Sequence, residues 1–123
     1  MRVSAKYLTD RRNIRCELIR LARAGELTYY GLLGAKVRKH RQWPLWKRAL
    51  DEISDDETRK DLPDITFLVL NASTGWPSQI GFESTDNKPT PEQKRKARTE
   101  LDKVFQYYCS SKPTPTLPQR KRA

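Results

Sequence analysis

The sequence predicts an α+β domain, mostly helical, built as three helices, a β-hairpin and a long fourth helix. Three observations predict it. Apolar residues recur at i, i+3, i+4 and i+7 in separate segments, the period of a helix with one buried face. A single run over 65–71, ITFLVLN, is dense in β-branched and aromatic types. The tetrapeptide Thr90-Pro91-Glu92-Gln93 offers a cap, a proline at the first helical position and a glutamine three residues past the cap. At 123 residues, 36% hydrophobic and 33% charged, the chain has length for one domain with a modest core and a heavily solvated surface.

The first helix is expected over 10–24. Ile14, Leu18, Leu21 and Ala22 make its apolar stripe, Thr9 or Asp10 caps it, and Gly25 stops it. Glu26-Leu27 links to a brief helix over 29–34, capped by Thr28, with Tyr29, Leu32 and Leu33 turned inward. Residues 36–43, KVRKHRQW, read as a basic loop. Pro44 fits the opening of a third helix over 45–54, with Trp46, Ala49, Leu50 and Ile53 on one face.

The acidic stretch 55–61 reads as a loop or frayed turn. The strand over 65–71 then turns through 72–78, where Gly75 and Pro77 sit, and returns over 79–83 as a hairpin. After a linker the last helix runs from 90 to 109, burying Ala97, Leu101, Val104, Phe105 and Tyr108. Residues 110–123, with Pro113, Pro115 and Pro118 and a closing Arg120-Lys121-Arg122, are expected to be a disordered basic tail. The compact domain is thus 1–109, with a core over 10–83. Three helices followed by a hairpin is the chain order of a winged helix-turn-helix.

Charge is segregated along this order. Residues 1–48 hold thirteen Lys/Arg against three acids, 49–90 hold three against nine, and 91–123 hold nine against three. A cationic N-terminal half points to a phosphate backbone, because neutralising phosphates releases condensed counterions. The sharpest cluster is the basic loop and the start of the third helix: Lys36, Arg38, Lys39, Arg41, Lys47 and Arg48 would meet phosphates, Gln42 or Trp43 would approach bases, and Arg11, Arg12 and Arg15 would extend the face. The expected partner is nucleic acid, duplex DNA before RNA, bound without catalysis.

No catalytic residue, metal site or cofactor is expected. The chain has no Walker loop, GxGxxG, GxSxG or HExxH. His40 is the sole histidine and has no neighbouring nucleophile in the sequence. The carboxylates between Asp51 and Asp64 read as one solvated run; a metal-dependent nuclease built on them is a minor alternative. Cys16 and Cys109 read as two reduced thiols. No signal peptide or membrane-spanning run is present in the sequence, so a cytoplasmic location is expected.

The main alternative is a protein-interaction factor of a phage or mobile element that docks on a host defence complex. An acidic protein or ribonucleoprotein would meet the basic face, with Trp76 and Tyr107 as anchors. A homodimer through the hairpin edge is a further expectation. Thr28-Tyr29, Leu62-Pro63-Asp64-Ile65-Thr66, Leu68-Val69, Asn71, Thr74-Gly75-Trp76-Pro77 and Gly81-Phe82 follow a pattern similar to small prokaryotic and phage-borne winged-helix-like domains. That resemblance covers 28–82 and implies a winged-helix fold. The outline more faintly resembles the winged-helix half of alkylguanine-DNA alkyltransferases. Their reactive Pro-Cys-His-Arg is absent, since Asp64 follows Pro63, so alkyl transfer is not implied.

Overall fold

A computed structural model describes residues 4–80 and 89–119 of the chain, and they form an α+β fold. Helix α1 spans Ala5–Ala24, opening five residues before the sequence predicts. Its cap is Ser4, whose hydroxyl accepts the Tyr7 N–H at 3.0 Å. The earlier start lets Tyr7 join Ile14, Leu18, Leu21 and Ala22 on the buried stripe. Gly25 ends the helix in the left-handed conformation at φ 74°.

Thr28–Tyr29 is a strand, β1, and helix α2 follows over Tyr30–Val37. Arg38 closes α2 at φ 59°, unusual for a residue with a side chain. Gly34 is needed nearby: a Cβ there would lie 2.0 Å from the Lys39 carbonyl oxygen. Helix α3 spans Trp46–Arg59, so most of the expected acidic loop is helical. The stripe Trp46, Ala49, Leu50, Ile53 continues at Glu57, which is fully buried. A charged residue on the apolar face hides the last turn from a hydrophobicity reading.

The expected hairpin is not what 65–80 form. Ile65–Leu68 is a 3₁₀ turn in which the Asp64 carboxylate accepts both the N–H and the hydroxyl of Thr66. Only Val69–Leu70 is a strand, β2, and it pairs in parallel with β1 at Thr28↔Val69 and Tyr29↔Leu70. All six residues from Ile65 to Leu70 are buried, Ile65–Leu68 packed among α1, α3 and α4 and Val69–Leu70 against β1 and α2. A run enclosed on every side does not need the alternation of a half-solvated hairpin. The turn at 71–76 does form, around Gly75 at φ 76°, and brings Pro77 back to bridge Leu70. Ser78–Ile80 is a second 3₁₀ turn; the rest of the expected return strand and the Gly81-Phe82 pair lie outside the described residues. The hairpin edge expected as a dimer surface is therefore missing from the described residues.

Helix α4 spans Pro91–Tyr108 and keeps the predicted capping box, with Thr90 and Gln93 bonded reciprocally. Ala97, Leu101, Val104 and Phe105 are buried, and Tyr108 is half-buried. Beyond it the expected disordered tail has a defined course as far as Gln119. Leu117 is buried, the Lys112 ammonium donates to the Ala24 carbonyl, and the Gln119 N–H donates to the Gly75 carbonyl at 3.0 Å. The Tyr29 hydroxyl donates to the Gln119 carbonyl at 2.7 Å. Apolar burial and these three bonds offset the entropy of a proline-rich segment.

Candidate nucleic-acid interface

The cations of the N-terminal half divide into two groups on folding. The first is held by the protein's own carboxylates. Arg15 grips Glu57 through two bonds of 3.1 Å, and Arg11 and Arg48 converge on Glu52. Lys39 pairs with Asp10 at 2.7 Å, and Lys47, far more exposed, pairs with Asp51 at 2.9 Å. A phosphate reaching any of these would have to displace a carboxylate.

Glu52 is the hub of the largest of these clusters. The Tyr7 hydroxyl donates to it at 2.6 Å, while the Arg11 and Arg48 guanidiniums lie over the Tyr7 ring. The Tyr7 hydrogen bond, backed by both arginines, holds the Glu52 carboxyl below its usual range. Burial, with the same carboxylate beside it, pushes the Tyr7 phenol up to about 12. This cluster ties α1 to α3.

Trp43 is part of the same structural layer. Its ring lies 5.3 Å from Trp46 edge-on, 6.4 Å from Tyr7, and the Lys39 ammonium sits 5.2 Å from its centroid. Both tryptophans are fixed by the loop, because the Trp46 indole N–H donates to the His40 carbonyl. The His40 ring nitrogen Nδ1 accepts the Gln42 N–H, and the Gln42 side chain is exposed.

The second group, exposed and without an ion pair among the described residues, holds Arg12, Lys36, Arg38 and Arg41, together with Lys6 and Arg23 towards the two ends of α1. Lys36 and Arg38 meet α1 across an open groove of about 530 Å³, whose α1 side is Asn13, Cys16, Glu17 and Arg20. Arg20 belongs to the cationic outer face that the sequence predicts for the first helix but is not among the phosphate contacts expected there; the four-residue step Arg12, Cys16, Arg20 is the signal that places it beside Arg12. Glu17 holds Arg20 through two 2.7 Å bonds. Those bonds, and Lys36 more weakly, keep the Glu17 carboxyl below its usual range. The groove thus carries three cations against one carboxylate. The left-handed backbone at Arg38 aims the chain out of α2 at this point.

Arg12 lines a smaller hollow with Arg11, Arg15 and Asp56. Trp76, expected at a hairpin tip, is buried at 4% exposure, so it is not a surface anchor; its ring is covered by Lys94 and Arg98. Tyr107 is 61% exposed and stacks edge-on to Tyr108, at the rim of a groove between α3 and α4. The acidic run does not gather at one point: Glu57 is internal, Asp56 pairs with Arg59, and Asp64 caps the 3₁₀ turn. Among the described residues no set of three or more His, Cys, Asp or Glu is placed to hold a metal. Cys16 is exposed and Cys109 buried, both as free thiols. No described helix is long and apolar enough to cross a membrane.

No family model, curated protein or solved structure matches the chain.

Proposed function

We propose that the protein binds nucleic acid through its phosphate backbone, using the cationic groove between α1 and the end of α2. The observation that carries this reading is the convergence of Arg20, Lys36 and Arg38 around one open groove with a single carboxylate among them. Exposed cations that have no carboxylate of their own, Lys36 and Arg38 here, are free to exchange water and counterions for phosphates, whereas Arg20 meets a phosphate by giving up Glu17. Arg41, three residues on from Arg38, and Arg12, one turn before Cys16 on α1, are further exposed charges. Arg11, Arg15, Lys39 and Arg48 serve the fold first, so the contact is shifted from the third helix towards α1 and α2. The mode is backbone recognition: a duplex is gripped for its charge, and the protein performs no chemistry on it.

The test replaces Arg20→Gln, Lys36→Gln and Arg38→Asn together; asparagine tolerates the left-handed backbone at 38. Duplex and single-stranded probes are titrated over a salt series. The triple variant should lose at least about tenfold in duplex affinity at low salt, and its salt slope should flatten by up to about 2.7, from about 0.9 per phosphate contact. Affinity and slope equal to those of the unaltered protein would overturn the reading.

A further inference from the structure

A further group of cations, without an ion pair among the described residues, lies on α4. At about 100° per residue, Lys94, Arg95 and Arg98 fall on one flank of the helix, while Lys96 faces the other, beside Glu100 and Lys103. None of the three has an ion pair among the described residues. Glu100 is taken by Lys103, Glu92 sits in the first turn where it suits the helix dipole, and Asp102, one turn on, is the nearest acid of this flank.

Two of these cations are pinned. The Lys94 ammonium lies 5.5 Å and the Arg98 guanidinium 5.0 Å from the centre of the Trp76 ring. Trp76 itself is anchored in the turn whose Gly75 carbonyl accepts Gln119. Like charges one turn apart repel along a helix, a cost that a bound anion relieves. Holding them on an indole face lowers the ordering cost of meeting an anion.

Resting on the nucleic-acid reading above, we infer that this flank of α4 is a second, independent phosphate-contact surface, so that one molecule holds two duplex segments. The row of three cations is complementary in charge to one strand of a duplex. Lys94 to Arg98 spans about 6 Å of helix axis, and each strand carries one charge per about 3.4 Å, so about two phosphates of one strand face three cations. The two surfaces share no residue.

The test immobilises one duplex DNA and measures capture of a second, labelled duplex. The proteins compared are the unaltered chain, the groove variant above, and an α4 variant with Arg95→Gln and Arg98→Gln, whose fold is checked by circular dichroism. Lys94 stays in place to cover Trp76. The unaltered protein should capture the second duplex; each variant should still bind the first yet lose at least about tenfold in capture, the α4 variant with a salt slope lower by up to about 1.8. Capture retained by the α4 variant overturns the inference while leaving the groove reading intact. An unaltered protein that binds one duplex and never captures another overturns it equally. Absence of binding by the unaltered protein would overturn both.

Discussion

Removing the guanidinium that Glu57 depends on is the most severe change the structure offers outside the apolar core. The Glu57 side chain has no solvent exposure and its two oxygens are met by Arg15 Nε and Nη2. In Arg15→Ala the carboxylate stays buried with its partner gone, a change that costs about 3–5 kcal/mol. Arg15 is 34% exposed, so water can enter where it lay, which places the cost near the lower figure. Unfolding entropy of about 2.1 cal/mol/K per residue over about 110 ordered residues gives about 0.23 kcal/mol/K, so 3 kcal/mol lowers Tm by about 13 °C. Thermal melts by circular dichroism at neutral pH read this directly. The double change Arg15→Met/Glu57→Met removes both charges and keeps volume, and should recover most of the loss. A single variant that melts within a few degrees of the unaltered protein, or a double variant no better than the single, would refute the argument that Arg15 compensates a buried charge.

Other outcomes follow from the same structure. Glu52, held below the usual carboxylate range, adds stability that is present above about pH 4.3 and lost as pH falls through its lower folded value; in Glu52→Gln the acid limb of a urea-midpoint profile should be flatter. Tyr7, raised to about 12, contributes stability that is complete below about pH 10 and lost as pH rises through 12, so Tyr7→Phe should flatten the alkaline limb and remove the last phenol to ionise in an ultraviolet titration. Gly34→Ala must push a Cβ into the Lys39 carbonyl oxygen 2.0 Å away and should destabilise by about 2 kcal/mol or more in chemical denaturation. Thr90→Ala removes half of the capping box and should cost about 1 kcal/mol in the same assay.

What could be read beforehand follows the range of the interactions. The helix stripes, the Gly25 stop, the turn at Gly75 and the Thr90 capping box are local, and each appears where its residues stand. The start of α1 escaped because Tyr7 is separated from the next buried position, Ile14, by two turns whose side chains are polar apart from an exposed Leu8. The end of α3 escaped because Glu57 is tolerable inside only with Arg15, 42 positions earlier. The run 65–70 looked like a strand because its composition reports burial, and burial alone does not distinguish a ladder from a packed turn.

The candidate site follows the same rule. Net charge was countable, but which cations remain unengaged was not: Arg11 reaches Glu52 over 41 positions, and Lys39 returns to Asp10. Arg38 and Lys39 are adjacent in sequence, yet one is exposed and the other paired. Trp76 was ambiguous for want of the Lys94 and Arg98 contacts that cover it.

The bond from Tyr29 to Gln119 joins positions 90 residues apart. During synthesis β1 and the Gly75 turn leave the ribosome long before the segment that closes over them. Helices α1 to α3 can pack early, but the surface around Tyr29 and Gly75 waits, wet and uncovered, until the segment around Gln119 is translated. Maturation of this region is therefore paced by chain delivery as well as by contact formation. A released chain truncated before Leu117 should hold its helical core while leaving that flank open to chaperones.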